Sequence, residues 1–165
     1  LAGEHRPGGI FRGGKYSAFE AGSTVPFIVS WPGHIKQGKE SRSLISQIDF
    51  MGSLAQLIGG KVPEGHGTDT RDQLATWTGK SKADAPYAVS MAASRSLTLR
   101  TKRWKYIAPF NGEPIISWGP AIETGYLKTP QLYDYKKDPG ETRNVADRNA
   151  AVVNELEGIL SNIRK

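Results

Sequence analysis

The strongest constraint in this sequence is the stretch Val25-Pro26-Phe27-Ile28-Val29-Ser30-Trp31, closed by Pro32-Gly33. It is almost unbroken apolar, with β-branched and aromatic side chains and no polar alternation, the pattern of a strand covered on both faces. A strand of that kind needs helices beside it, so the predicted fold class is α/β. The next segment supplies a helical pattern: Ile48, Met51, Leu54, Ala55 and Ile58 recur at helical spacing. Ser46 and Asp49 stand as a capping pair before them, and Gly59-Gly60 stops the run.

Beyond residue 60 the periodicity changes. A polar Pro/Gly loop leads to a short helix expected over 72–77. A hairpin is predicted between Ser90 and Pro109, where Leu97 and Leu99 alternate with Thr98 and Arg100. After a break at Thr101-Lys102, Trp104 and Tyr106 alternate with Arg103 and Lys105, which gives one apolar and one solvated basic face. Residues 111–129 read as an irregular excursion, Gln131-Leu132-Tyr133-Asp134-Tyr135 as a further strand and Asp138-Pro139-Gly140 as a turn. A last helix is expected from an Asp147 cap, with Val152, Val153, Leu156, Ile159, Leu160 and Ile163 on one stripe. Two domains follow from this reading: 1–60, a strand-and-helix portion, and 61–165, a small antiparallel sheet with a terminal helix.

Composition narrows the chemistry. The 165 residues include no cysteine, which excludes disulfides, thiolate metal sites and cysteine nucleophiles. A net charge of +6 and a pI near 9.6 favour anionic ligands through long-range steering, without choosing among them. No apolar run approaches the ~20 residues of a helical membrane span. The chain opens on Leu1 with no signal-peptide layout and is expected to be part of a longer protein whose targeting segment lies elsewhere.

Self-contained catalytic constellations are scarce. His5, His34 and His66 are dispersed, so a metal site built from this chain is not expected. There is no Gly-x-Ser-x-Gly nucleophile elbow. The first 22 residues hold Gly3, Gly8, Gly9, Gly13, Gly14 and Gly22 with Arg6, Arg12 and Lys15, an irregular loop that brings backbone close to something. Within it Gly13-Gly14 leave space beside the Lys15 ammonium, room enough for a small tetrahedral oxyanion. Arg95, Arg100, Lys102, Arg103 and Lys105 with Trp104 and Tyr106 offer a second anion-binding reading, as a polyanion-binding hairpin. Trp118 and Tyr126 on the excursion are candidates for stacking on a sugar ring.

Several blocks taken in order resemble the sulfatase family of the formylglycine-dependent arylsulfatase type. Phe11-Arg12-Gly13-Gly14-Lys15-Tyr16-Ser17-Ala18-Phe19-Glu20-Ala21-Gly22 is similar to its Arg-Gly-Gly-Lys block and Tyr/Phe-Glu-Gly-Gly continuation, with Ala21 replacing the commoner glycine. The apolar run 25–33 resembles the strand that follows, and Ile48-Asp49-Phe50-Met51 its Asp-containing helix. Trp104-Lys105-Tyr106-Ile107 resembles the Trp-Lys-Tyr strand. Gln131-Leu132-Tyr133-Asp134 with Asp138-Pro139-Gly140-Glu141-Thr142-Arg143-Asn144 resembles the Leu-Tyr-Asp-Leu, Asp-Pro-x-Glu-x-x-Asn ending.

The resemblance implies the C-terminal part of a sulfatase, a sulfuric ester hydrolase. Its fold would be the late part of an alkaline-phosphatase-like α/β/α sheet followed by a small antiparallel sheet packed by a C-terminal helix, α+β within this chain. It implies a parent that uses calcium and formylglycine, with neither bound by this chain. Ser30-Trp31-Pro32-Gly33-His34 shares only Ser and Pro with the Cys/Ser-x-Pro-Ser-Arg motif, so the chain alone is expected to be inactive. Lys15 is the implied catalytic residue, in contact with sulfate, and His5, Arg12, Trp118 and Tyr126 are the expected substrate contacts. The implied partners are the N-terminal part of the same protein and a sulfated carbohydrate, with no nucleic acid, in the periplasm or secreted. The alternatives are a phosphoester or phosphonate hydrolase of the same superfamily, or the non-catalytic polyanion-binding module.

Overall fold

The alternation around the 97–107 turn forms the expected antiparallel pair. In the computed structural model, which describes residues 7–93, 95–118 and 121–163, strands β2 (Leu97–Arg100) and β3 (Trp104–Ile107) pair with Leu99 opposite Tyr106 and Arg100 opposite Lys105. β6 (Gln131–Asp134) pairs antiparallel with the other edge of β3, Lys105 opposite Tyr133. With β1 (Ala88–Met91) the sheet runs β1-β2-β3-β6. The excursion contains a second, two-stranded sheet, β4 (Ile115–Ile116) and β5 (Ile122–Glu123), in register Ile115 to Glu123. Helix α3 (Ala150–Ile163) lies on β2, burying Leu156 and Leu160. The Tyr106 hydroxyl donates to Glu157 Oε2 at 2.5 Å, tying β3 to the helix.

The chain forms two compact units, residues 1–25 with 89–165, and residues 26–88. The first holds the sheet and α3, with a core of Phe19, Ile107, Tyr126 and Tyr133 under a half-buried Phe110. The second holds α1 (Phe50–Leu57) and α2 (Leu74–Trp77). The mixed α and β architecture is the one the sequence predicted.

Four local expectations are corrected. The run 25–31 joins neither sheet, and Ile28 is 88% exposed. An apolar strand becomes a central strand only when partners bond both its edges, and none does so among the described residues. Phe27 instead meets Phe50 and Trp77, ring centroids 5.6 and 5.4 Å away.

Helix α1 turns the other way from its apolar stripe. Ile48, Met51, Leu54 and Ile58 are exposed while Asp49 and Ser53 are fully buried. The cause is a set of unpaired backbone donors in the 70–73 segment: Arg71 N–H donates to Asp49 Oδ1 at 3.0 Å and Gln73 N–H to Ser53 Oγ at 2.8 Å. Asp49 thus satisfies a neighbouring strand of backbone rather than capping its own helix.

The basic face of the hairpin is not solvated throughout. Lys105 is only 1% exposed and Arg100 is mostly covered, because the segment carrying Glu20 and the turn carrying Glu141 lie over them. Arg95, Lys102 and Arg103 remain at the surface. Finally, Asp147 falls inside a 3-10 turn, Ala146–Arg148, and α3 begins after it. Asn144 organises that junction: its Oδ1 accepts from both Leu132 N–H and Ala146 N–H at 3.0 Å.

Candidate functional site

The glycine-rich loop contains two tight turns, closed by Phe11 N–H to Gly8 O and Ser17 N–H to Gly14 O, and a longer closure by Ala21 N–H to Arg12 O. Gly13 sits at φ +80°, and a Cβ there would lie 2.4 Å from Ser17 Oγ, so both the backbone conformation and the space require glycine. The Gly14 position faces Ile122 of β5. Ser17 Oγ donates to Glu123 O at 2.7 Å, and Ala18 N–H donates to Thr124 O at 2.7 Å. The loop is therefore fastened to the β4–β5 hairpin.

Arg12 reinforces that fastening. Its Nε and Nη2 donate to the two Glu123 carboxylate oxygens at 2.7 and 2.9 Å, and Nη1 donates to Glu141 O at 2.9 Å. Its guanidinium also lies 4.1 Å from the Phe19 ring centroid. The hydrogen bond with Arg12 holds the Glu123 carboxyl below its usual range, and Arg12 is raised in turn.

Lys15 projects from the apex of this loop, exposed, its Nζ 4.9 Å from the Tyr16 ring centroid. Among the described residues it forms no ion pair. Tyr16 adopts φ +81°, a conformation a bulky residue holds only when its surroundings impose it. Its ring meets Trp118 at 5.1 Å, tilted by 57°.

The structure thus brings Lys15 together with Trp118, through Tyr16. It places Arg12 in the loop's internal clamp. Tyr126 lies in the core, 8% exposed and edge-on to Phe110 at 5.0 Å, so its ring is committed to packing. His5 lies outside the described residues.

One cluster was missed by sequence reasoning. Glu20, Lys105, Arg100 and Glu141 converge beneath the loop: Glu20 Oε2 is 3.2 Å from Lys105 Nζ and Oε1 3.4 Å from Arg100 Nε. Glu141 Oε2 accepts from Glu20 N–H at 2.7 Å. Arg100 also stacks 3.4 Å over Tyr135. Burial pushes the Glu141 carboxyl up to about 7 despite nearby Lys105. Glu20, Lys105 and Glu141 each sit in a quoted block, and Arg100 in the hairpin strand beside them. The available signal was a charged residue between aromatic or apolar neighbours at Glu20 and Lys105; Glu141, in a polar turn, carried none.

This arrangement, a lysine loop seated on a small antiparallel sheet with a helix across it, is that of a sulfatase C-terminal region. The chain belongs to the family described as N-sulphoglucosamine sulphohydrolase, C-terminal, which matches residues 9–165. It is 41% identical to an N-acetylgalactosamine-6-O-sulfatase of Bacteroides thetaiotaomicron over 97% of this chain and 31% of that protein. It is 30% identical to an ulvan-active sulfatase of Formosa agariphila over 81% of this chain and 31% of that protein. A solved structure from the study of glycosaminoglycan metabolism by Bacteroides thetaiotaomicron superposes with a TM-score of 0.93 at 41% identity, over 97% of this chain and 33% of that one. The chain spans about a third of the length of the curated relatives it matches.

Proposed function

We propose that the chain serves a sulfatase that hydrolyses sulfate esters of a carbohydrate, with Lys15 contacting the sulfate group and the loop forming one wall of the substrate cleft. The observation that carries this reading is the Gly13-Gly14-Lys15 loop. It is clamped from below by Arg12, Ser17 and Ala18, yet presents an ammonium group outward with no internal counter-ion among the described residues. A fixed cation beside a sulfate stabilises charge as the ester oxygen departs, and needs little reorganisation to do so. The carbohydrate assignment draws on relatives named for N-acetylgalactosamine and ulvan.

In sulfatases formylglycine and calcium supply the nucleophile and the polarisation of the sulfate oxygens. We infer that neither group is held by this chain, because its described residues do not fit them. It has no cysteine, its Ser30-Trp31-Pro32-Gly33-His34 departs from the required motif, and no three His, Asp or Glu side chains converge among the described residues. No step through either group is assigned to this chain, and the chain by itself is proposed to be inactive. The division of labour follows the sequence reading, with residues 1–60 belonging to the catalytic α/β domain and residues 61–165 to the C-terminal subdomain. The N-terminal part of the enzyme is the proposed partner. Among the described residues no helix is long and apolar enough to cross a membrane. Export to the periplasm or beyond is proposed by analogy with carbohydrate sulfatases.

The full-length protein, given 6-O-sulfated N-acetylgalactosamine and the matching 6-phosphate ester, should release sulfate at a much higher kcat/KM than phosphate. Preference for the phosphate ester would instead favour the phosphoester hydrolase reading. Burial of Lys105 and the engagement of Arg100 leave the polyanion-binding hairpin fewer free charges than its sequence offered.

A further inference from the structure

The β4–β5 hairpin has no counterpart among the quoted sulfatase blocks, yet it is the element most firmly joined to the lysine loop. Its strands contribute Glu123 to the Arg12 clamp and Ile122 to the floor beneath Gly14, and the Glu123 and Thr124 carbonyls just at and after β5 take the Ser17 hydroxyl and Ala18 amide. Thr124 is fixed in turn, its hydroxyl donating to Glu113 O at 2.6 Å and its amide to Pro114 O at 2.9 Å. A hairpin of two-residue strands is marginal alone, so this one owes its position to the loop.

The connection between its strands carries Trp118, 65% exposed. A ring that open leaves an aromatic face free to stack on the apolar C–H face of a sugar. Tyr16 meets the ring at 5.1 Å and 57°, making a corner rather than a flat shelf, and Tyr16 holds φ +81° to do so. Lys15 Nζ lies 4.9 Å from the same Tyr16 ring, which puts the ammonium within about 10 Å of the Trp118 ring centre. That is a separation suited to one sugar ring and its exocyclic sulfate.

We propose that Tyr16 and Trp118 form the subsite for the leaving-group sugar, and that the β4–β5 hairpin sets which sulfated pyranose is accepted. The apolar C–H face of a pyranose lies on Trp118, its edge is bounded by Tyr16, and the sulfate reaches Lys15. The Arg12–Glu123 pair and the Ser17 and Ala18 hydrogen bonds join hairpin and loop, so the spacing between stacking face and ammonium selects where on the sugar the sulfate stands. This rests on the sulfatase reading above and adds the ligand class and the residues that recognise it.

The test uses the full-length enzyme with Trp118→Ala and Trp118→Phe. The substrate is 6-O-sulfated N-acetylgalactosamine, and inorganic sulfate serves as a competitive inhibitor that reports the sulfate pocket without the sugar. Trp118→Ala should raise KM for the sulfated sugar about tenfold, the scale of a lost aromatic contact and its buried face. Its inhibition constant for sulfate should stay within about twofold of wild type. Trp118→Phe should recover much of the loss. An unchanged KM in Trp118→Ala, with the wild type releasing sulfate, overturns the subsite and leaves the sulfatase reading standing. A parallel rise in the sulfate inhibition constant also overturns it, since that outcome makes Trp118 a packing support for the loop. No release of sulfate by the wild type from this sugar, with release from another sulfated sugar, removes the N-acetylgalactosamine assignment; no release from any sulfate ester removes the sulfatase reading and the subsite with it.

Discussion

Replacing Glu141 by Gln isolates one buried charge and makes its energetic consequence measurable. Glu141 is fully buried, at φ +52°, and its Oε2 accepts the Glu20 amide. Burial raises its carboxyl from an ordinary 4.5 to about 7, opposed by the Lys105 charge, the Glu20 amide hydrogen bond and Arg12, while the Glu20 carboxylate pushes upward. The sign follows from proton counting. Between pH 4.5 and 7 the folded chain keeps a proton that the unfolded chain has released, so rising pH favours the unfolded state across that window. Below 4.5 both states hold the proton and nothing is lost; above 7 both have released it and the loss is complete.

The size of the loss is roughly 3 kcal/mol, the free-energy equivalent of the gap between the two values. Gln keeps an oxygen for the Glu20 amide and cannot ionise. The difference in stability between Glu141→Gln and wild type should therefore swing by roughly 3 kcal/mol in favour of the variant between pH 4 and pH 8. Urea unfolding followed by tryptophan fluorescence at several pH values gives this directly, and other titrating groups cancel in the difference. A difference that stays flat with pH would refute the reasoning, because it would mean that Glu141 ionises as easily in the folded chain as in the unfolded one.

Other outcomes follow from the same geometry. Lys105→Met removes the nearest cation from Glu20 and should cost about 3–5 kcal/mol in the same unfolding assay. Adding Glu20→Gln to it should restore part of that loss, a coupling that a double-mutant cycle reads. Gly13→Ala places a methyl against Ser17 Oγ at positive φ and should destabilise the loop unit by more than about 1 kcal/mol, seen as a lower unfolding midpoint.

The sheet was legible because its signals are local. Alternation in 97–107 fixed both strands and their turn, and the stripe Leu156, Leu160 fixed the face of α3. The run 25–31 was misread for a physical reason. Unbroken apolar sequence reports that a segment seeks burial, and says nothing of whether partner strands lie within the same 165 residues. Helix α1 shows the converse: backbone amides of 71 and 73 drew Asp49 and Ser53 inward and left the apolar stripe outside, a long-range demand that periodicity does not encode.

At the site, the glycines around Lys15 were readable from their lack of side chains. The partner of Arg12 was not, because Glu123 lies 111 residues away in a segment with little periodicity. Tyr126 and Trp118 looked alike as loop aromatics. Only the fold separates them, sending one into the core and the other to the surface beside Tyr16.

The central claim is that Lys15 contacts the sulfate that is cleaved. Its most direct test is kcat for Lys15→Ala in the full-length enzyme on 6-O-sulfated N-acetylgalactosamine, with the unfolding midpoint measured on the same preparation. Because the side chain is exposed and free of ion pairs among the described residues, the midpoint should hold. The kcat should fall by about 10²-fold or more, the effect of removing one fixed group that stabilises developing charge. Near-wild-type kcat at an unchanged midpoint would contradict the account and remove Lys15 from the site.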